Sequence, residues 1–233
     1  MGNPFFRFKQ FEIWHDRCAM KVGTDGVLLG AWTDVSHSQN VLDIGTGSGL
    51  IALMIAQRCR AKVTGVEIDA EAAKQACENV ALSPWKGRVS IRQADITAFE
   101  GGKYDTILSN PPYFREQVYC SDSQRNAARH TGALTFEDLL DAVIRLLTDD
   151  GCFSVILPFE VSGHFIDLAA GRYLYPMCRT DVQTRPGISP KRVLLTLSRN
   201  ILPCKEDTLV IESEPRIYSP DFIQLVKDFY LAF

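Results

Sequence analysis

The chain contains 233 residues, of which 46% are hydrophobic and 23% are charged, and its formal net charge is −3. This length suffices for one α/β domain with a sizeable core, and the composition is close to that of an average globular protein. No apolar run reaches the roughly 20 residues of a membrane helix, and residues 1–10 lack the apolar block of a signal peptide. These features exclude a polycation and a membrane-spanning protein, and they predict a cytoplasmic protein.

The seven cysteines are scattered along the chain, and none forms a Cys-x-x-Cys pair. Such a pattern indicates neither a disulfide framework nor a zinc site. We therefore expect reduced, mostly buried cysteines and no bound metal. We also expect the protein to be a monomer.

The predicted elements begin with an aromatic segment and a short helix, Thr24–Trp32. The segment contains Phe5, Phe6, Phe8, Phe11 and Trp14. Two interpretations stay open: it covers one edge or face of a sheet, or it forms a lid over a ligand. We expect a single domain in which 1–35 is this cover, 36–200 is the core and 201–233 is a C-terminal extension.

The middle of the chain alternates between strand and helix patterns. The predicted strands are Asn40–Ile44, Lys62–Glu67, Val89–Gln93, Tyr104–Ser109 and 153–157. The predicted helices are 48–59, Ala70–Leu82 after an Asp69 cap, 135–147 with a capping box from Thr135 to Asp138, and 160–169. Strands that alternate with helices in this way imply right-handed crossovers and a parallel sheet.

The end of the chain departs from this alternation. Two further strands, 175–184 and 193–198, leave no room for a helix between them, so they should pair antiparallel. Ser219 and Pro220 then begin a last helix that runs to Phe229. The expected fold class is α/β, a doubly wound, seven-stranded, mostly parallel sheet with a terminal antiparallel hairpin.

The strongest local motif is a glycine-rich loop between the first core strand and its helix. Residues 41–49 read Val-Leu-Asp-Ile-Gly-Thr-Gly-Ser-Gly, which places glycine at 45, 47 and 49. Strand-to-helix turns of open α/β sheets are where such folds bind ligands. The dinucleotide pattern would require a glycine at position 50, where this chain has Leu50, so a pyrophosphate ligand is disfavoured.

Three acids stand at the ends of three consecutive strands beside this loop, namely Asp43, Glu67 and Asp95. A carboxylate at the position of Glu67 suits hydrogen bonds from ribose hydroxyls. Together with the loop, these acids resemble the class I (Rossmann-like) methyltransferase pattern over residues 41–110. The resemblance implies S-adenosylmethionine as cofactor, with Asp43 near its positive charges and Asp95 near its adenine amine.

After the fourth core strand the sequence reads Asn110-Pro111-Pro112-Tyr113. A conjugated amine is a poor nucleophile, so a site must hold its nitrogen with the lone pair aimed at the methyl carbon. The Asn110 side-chain oxygen and the Pro111 carbonyl can accept its two N–H groups, and the Tyr113 ring offers a stacking face. The tetrapeptide resembles motif IV of the amino-methyltransferases, so Asn110, Pro111 and Tyr113 are the expected catalytic residues.

Three further stretches narrow the resemblance. Residues 21–32 read Lys-Val-Gly-Thr-Asp-Gly-Val-Leu-Leu-Gly-Ala-Trp, 126–130 read Asn-Ala-Ala-Arg-His, and 228–231 read Asp-Phe-Tyr-Leu. With the core motifs they resemble the bacterial enzymes that make N6-methyladenosine beside the anticodon of a valine tRNA. That family's pattern implies a tRNA substrate and Arg129 and His130 at the substrate entrance. The cofactor-binding residues expected from the resemblance are Thr24, Asp25, Asp43, Gly45, Thr46, Gly47, Gly49, Glu67, Ile68, Asp95, Ile96 and Asn110.

Two alternatives stay open from the sequence. A glutamine-N5 methyltransferase of release factors shares the tetrapeptide, although such enzymes carry a sizeable helical domain before the cofactor domain. A catalytically silent subunit of the same fold would be expected to lose the glycine loop or the tetrapeptide.

Attraction to RNA must be local because the net charge is slightly negative. Two stretches without an acid qualify as basic surfaces: 85–92 with Lys86, Arg88 and Arg92, and 182–205 with Arg185, Lys191, Arg192, Arg199 and Lys205. We expect Arg185, Lys191 and Arg192 to contact phosphates, with a solvated turn as the alternative.

Overall fold

The computed structural model describes residues 3–112 and 134–233. Their strands are β1 (Phe5–Arg7), β2 (Glu12–Trp14), β3 (Asn40–Ile44), β4 (Lys62–Glu67), β5 (Val89–Gln93), β6 (Tyr104–Ser109), β7 (Leu147–Pro158), β8 (Tyr175–Gln183), β9 (Arg192–Ser198), β10 (Lys205–Val210), β11 (Glu212–Glu214) and β12 (Ile217–Tyr218). Their helices are α1 (Thr24–Trp32), α2 (Leu50–Arg58), α3 (Ala70–Leu82), α4 (Phe136–Leu146), α5 (Ser162–Ala170) and α6 (Pro220–Val226), with a 3-10 turn at Phe159–Val161.

The central sheet confirms the expected fold class. Its strand order is β10-β8-β9-β7-β6-β3-β4-β5. All neighbours pair in parallel except β9, which runs antiparallel to both β7 and β8. From β3 the chain proceeds through β4 to β5 on one side and then crosses to β6 on the other side of β3. The carboxyl ends of β3 and β6 therefore border the crevice in which open α/β sheets bind ligands.

The sheet has one strand more than the seven expected from the sequence. The additional strand, β10, lies at one edge and pairs in parallel with β8. Residues 205–208 are exposed and only Leu209 is buried, so the segment lacks the apolar alternation that indicates a strand. Its charged residues also suit an exposed sheet edge, because they discourage pairing with another chain.

Local hydrogen bonds set the ends of the helices. The Asp69 carboxylate accepts from the Ala72 backbone N–H at 2.8 Å, and the Thr135 hydroxyl accepts from the Asp138 N–H at 3.1 Å, so both expected caps are confirmed. Several expected boundaries are wrong, and the largest difference is in β7, which begins at Leu147 and not at residue 153. Helix α2 begins at Leu50 and not at residue 48, because Gly49 has a left-handed backbone (φ 82°). Helix α6 ends at Val226, before Phe229.

Apolar side chains pack on both faces of the sheet. The rings of Phe8 and Phe11 are buried (2% and 7% exposed) and stack 4.7 Å apart. They join the apolar cluster of α1, α2 and α6, while α4 and α5 pack in a second cluster. These two aromatic residues therefore belong to the core on one face of the sheet. This supports the interpretation that the N-terminal hairpin, formed by β1 and β2, covers that face.

Six cysteines lie in the described residues and all are free. Four are half-buried, while Cys77 and Cys204 are exposed, so the expectation of mostly buried cysteines is wrong for this part of the chain. Within the described ranges, none of the helices is both long and apolar enough to cross a bilayer.

Candidate active site

The carboxyl ends of the parallel strands β3, β4, β5 and β6 meet at one edge of the sheet, which we call the carboxyl edge. In the strand register Ile44 pairs with Val66 on β4 and with Ser109 on β6. The Ser109 hydroxyl donates to the Ile44 carbonyl at 3.0 Å and fastens the ends of β3 and β6 together. The residues that follow these strands, the glycine loop and Asn110 among them, therefore start from adjacent points.

The glycine loop leaves open space above two of its three glycines. Gly45, Gly47 and Gly49 all have positive φ, at 70°, 54° and 82°, a conformation that disfavours other residues. A Cβ added at Gly45 or Gly47 would meet nothing within 4 Å in the described structure, whereas one at Gly49 would lie 3.5 Å from the Ala76 Cβ. The first two glycines therefore border a cradle, and the third allows α3 to pack closely.

Asp43 lies beneath this loop and is fully buried. Its Oδ2 accepts from the Thr46 hydroxyl at 2.6 Å and from the Ala52 N–H at 3.2 Å. Its Oδ1 has no hydrogen-bond partner among the described residues. Burial, with a smaller contribution from the nearby Glu67 charge, raises the pKa of Asp43 to about 7. The carboxyl group therefore fastens the loop to the first turn of α2.

Glu67 stands at the rim of the cradle. Its Oε2 accepts from the Gly47 N–H at 2.9 Å and its Oε1 from the Asp69 N–H at 3.0 Å. These bonds fix the carboxylate and leave further lone pairs for a ligand. The neighbouring Ile68 is 54% exposed, so an apolar surface lies beside the carboxylate.

Asp95 and Ile96 follow β5 on the far side of Glu67. Asp95 is exposed, and its Oδ1 accepts hydrogen bonds from the Thr97 N–H and hydroxyl, both at 2.8 Å. Ile96 is buried, at 6% exposure. The structure thus places all three expected acids at one sheet edge, with Asp43 beneath the surface and the other two at it.

Asn110 and Pro111 come directly after β6. Asn110 is half-buried, Pro111 is buried and Pro112 is exposed. The expected residues Tyr113, Arg129 and His130 lie outside the described residues.

The first turn of α1 reaches the same edge through an ion pair. Arg192 Nε donates to Asp25 Oδ2 at 2.8 Å. Arg192 begins β9 opposite Pro158, the last residue of β7, so Asp25 and the adjacent exposed Thr24 belong to the carboxyl edge. The sequence assigned Asp25 to the cofactor and Arg192 to RNA, and nothing in the pattern showed that the two residues contact each other.

Some arginines of the two basic stretches bond to backbone carbonyls and do not form part of the basic surfaces that the sequence suggests. Arg88 donates to the carbonyls of Cys59 and Ala56, both at 2.8 Å, and so caps the end of α2. Arg199 donates to the Ile144 carbonyl at 2.8 Å. Lys191 is exposed.

Arg185 is half-buried, and its Nε has no hydrogen-bond partner within the described ranges. The bonds of Arg88 and Arg199 to backbone carbonyls give these two arginines structural roles. Lys191, in the connection between β8 and β9, is exposed and can contact a phosphate.

The described ranges contain no group of three or more His, Cys, Asp or Glu side chains able to hold a metal ion. The described part of the site contains backbone N–H groups, carboxyl groups and the Asn110 amide.

Sheet order, glycine loop and acids together define a methyltransferase of the Rossmann-like class. A family model described as the methyltransferase small domain matches residues 20–133. The solved structure of a predicted O-methyltransferase from Agrobacterium tumefaciens superposes with a TM-score of 0.67 at 20% identity, covering 88% of this chain and 96% of that one. This likeness confirms the fold.

Curated relatives identify the family within that class. The tRNA1(Val) (adenine(37)-N6)-methyltransferase of Bacteroides fragilis (strain YCH46) is 50% identical over 235 residues, 99% of each chain. The enzyme of the same name from Phocaeicola vulgatus is 51% identical over 233 residues, again 99% of each chain. The chain belongs to the tRNA1(Val) (adenine(37)-N6)-methyltransferase family.

Proposed function

We propose that this protein transfers a methyl group from S-adenosylmethionine to the exocyclic N6 amine of adenine 37, beside the anticodon of a valine tRNA. The observation that carries the proposal is the position of Asn110 directly after Ser109, whose hydroxyl bonds to Ile44 at the start of the glycine loop. The chain is also 50% identical to an enzyme of that name over 99% of its length.

The residues present fit S-adenosylmethionine. Open space above Gly45 and Gly47 admits a ligand close to the backbone, Glu67 offers lone pairs to ribose hydroxyls, and exposed Ile68 offers apolar surface to a purine. Asp95 is exposed and placed for the adenine amine. When bound, the cofactor supplies an electrophilic methyl group on a positively charged sulfur. Asp43 acts from beneath the loop, as the residue that holds its shape.

Asn110 and Pro111 hold the target nitrogen. The N6 lone pair of adenine is delocalised into the ring, so the amine reacts only when it is held in line with the methyl carbon. We assign one N–H to the Asn110 side-chain oxygen and the other to the Pro111 carbonyl, whose direction the proline ring restricts. Tyr113 keeps its proposed role as the stacking surface.

The proposed RNA contacts are local. An adenine beside the anticodon is partly exposed already, so placing it in the site costs less than extruding a base from a duplex. Lys191, Arg185 and Arg192 border the carboxyl edge and are the proposed phosphate contacts, with Arg129 and His130 at the entrance. We place the enzyme in the cytoplasm, where tRNA is available, and propose that it acts as a monomer.

The direct test uses tRNA from cells that lack the enzyme. Purified protein and S-adenosylmethionine with a labelled methyl group should label valine tRNA, and nuclease digestion should release the label as N6-methyladenosine. A transcript with guanine at position 37 is the matched control and should stay unlabelled. Label that survives nuclease and disappears with protease would contradict the proposal and support a glutamine-N5 methyltransferase.

A further inference from the structure

Helix α3 carries two buried amide side chains one turn apart, Gln75 and Asn79, each only 1% exposed. Asn79 makes three hydrogen bonds. Its Oδ1 accepts from the Trp14 N–H at 3.0 Å, and its Nδ2 donates to the carbonyls of Trp14 and Ser48, both at 2.8 Å. One side chain therefore joins the end of β2 to the glycine loop.

Gln75 holds the residues that follow. Its Nε2 donates to Asp16 Oδ1 at 2.6 Å, while its Oε1 accepts from the Arg17 N–H and from the Cys18 thiol, both at 3.1 Å. Buried amides satisfied in this way fix the position of the groups they bond, because each lost bond leaves a buried polar atom unpaired.

The segment 15–22, which we call the amide-anchored loop, is closed at its base. The Val22 N–H donates to His15 Nδ1 at 3.2 Å. The loop lies close to the glycine loop, because the part of α3 that holds it also contacts the glycine loop. Asn79 donates to the Ser48 carbonyl, and Ala76, the neighbour of Gln75, packs against Gly49. Burial and then the charge of Glu67 raise the pKa of the Cys18 thiol to about 11, in agreement with a position near the rim of the cradle.

We propose that the amide-anchored loop forms one wall of the cofactor site and that Gln75 and Asn79 are its positioning residues. The inference rests on the proposed function, because the ligand is S-adenosylmethionine. It divides the N-terminal region into two parts. The aromatic hairpin up to Trp14 covers the core, and the loop after it borders the ligand. Since the loop is held in place before binding, the entropic cost of ordering it is already met.

The first test compares two links between the same loop and the same helix. Gln75→Ala removes the buried link and should weaken S-adenosylhomocysteine binding about tenfold, the effect of one lost bond to a buried polar group. Glu78→Ala removes the Arg17–Glu78 ion pair, whose side chains are 31% and 50% exposed, and should change affinity less than about twofold.

Kinetics separate positioning from general damage to the fold. Gln75→Ala should raise the KM for S-adenosylmethionine about tenfold and leave kcat within about twofold, because Asn110 is untouched. Equal falls in kcat and in melting temperature with an unchanged KM would overturn the positioning role.

The second test needs no substitution. Cys18 lies in the loop, whereas Cys77 is exposed on α3 and serves as an internal control. Alkylation by iodoacetamide at about pH 8.5, followed by mass spectrometry, should slow about tenfold or more at Cys18 when S-adenosylhomocysteine saturates the protein, and less than twofold at Cys77. Calorimetric binding without protection of Cys18 would overturn the wall alone. Absence of any calorimetric binding would overturn the proposed function and the wall with it.

Discussion

The carboxyl edge of the sheet has two halves that are built differently. At the ends of β3 and β4, the carboxyl groups of Asp43 and Glu67 accept hydrogen bonds from backbone N–H groups of α2 and of the glycine loop. The second half lies at the end of β6 and the start of β9. Asn110 is followed there by two prolines, and Asp25 forms an ion pair with Arg192 through side chains that are 27% and 33% exposed. The first half is thus held by backbone bonds, and the second by side chains near water.

This difference indicates how each half responds to change. Bonds from fixed N–H groups to the Glu67 carboxylate are charge-assisted. Together with the bond from the Ala52 N–H to the buried Asp43 carboxyl group, they shape the cradle before any ligand arrives. A partly exposed ion pair contributes about 0–1 kcal/mol, so another charged group can replace either partner at small cost. We therefore expect substitutions in the first half to alter cofactor affinity and stability, and those in the second half to alter turnover and RNA binding.

The largest expected effect lies in the second half. Asn110→Ala removes the proposed acceptor for the target amine and should lower kcat on the order of 100- to 1000-fold, as loss of one positioned group does at other active sites. Cofactor affinity should stay within about threefold, because the glycine loop and Glu67 are unchanged. Single-turnover methylation and calorimetric titration of the same preparation measure the two quantities. Equal losses in both would place Asn110 in the cofactor half.

The next effect belongs to the first half. Glu67→Ala should weaken S-adenosylmethionine binding about 10- to 100-fold, since it removes a charged acceptor for the ribose hydroxyls and frees the Gly47 N–H. Turnover at saturating cofactor should fall far less. Glu71→Ala alters an exposed acid in the first turn of α3 and serves as the control. Wild-type affinity in Glu67→Ala would end its assignment to the cofactor.

The features that sequence predicts well depend on bonds between near neighbours in the chain. The caps at Asp69 and Thr135 each reach three residues ahead, so their residue pattern is complete within one turn. The strand-to-helix position of the glycine loop is equally local. All the expected cofactor residues except Asn110, Thr24 and Asp25 lie at the end of β3 or β4 or follow β3, β4 or β5, and alternation of strands and helices sufficed to place them on one edge.

Features that depend on distant parts of the chain were not predictable. Asp25 and Arg192 are 167 positions apart, and no periodicity relates them. Arg88 looks like a surface cation in sequence but caps α2. The position of Asp43 at a strand end was correct, whereas its complete burial depends on how the loop folds over it. Gln75 and Asn79 resemble ordinary polar helix residues until the loop packs on them.

Burial of Asp43 predicts a pH effect on stability. Its folded-state pKa of about 7 is above the ordinary value of 3.8, so the folded state favours the protonated carboxyl group. The stabilisation is fully present below about pH 4 and is lost as pH rises through 7. Asp43→Asn cannot ionise, so from pH 5 to pH 8 wild type should lose on the order of 5 °C of melting temperature relative to this variant. Asp149→Asn, at an exposed site, should follow wild type. Parallel curves for wild type and Asp43→Asn would contradict the protonated, buried state.

The smallest expected effect concerns the RNA contacts of the second half. Lys191 is exposed, so Lys191→Ala should weaken tRNA binding a few-fold at low salt and reduce the slope of log affinity against log salt by about one phosphate contact. The charge of Arg192 is already partly neutralised by Asp25, so Arg192→Ala should reduce the slope by less. Lys74 is exposed on α3, so Lys74→Ala removes one positive charge at a site away from the β8–β9 connection and should leave the slope unchanged.

Filter binding from about 50 to 200 mM salt, without cofactor, gives the three slopes. A wild-type slope for Lys191→Ala would make the β8–β9 connection a solvated turn, and a larger reduction for Arg192→Ala would mean that Arg192 exchanges Asp25 for RNA.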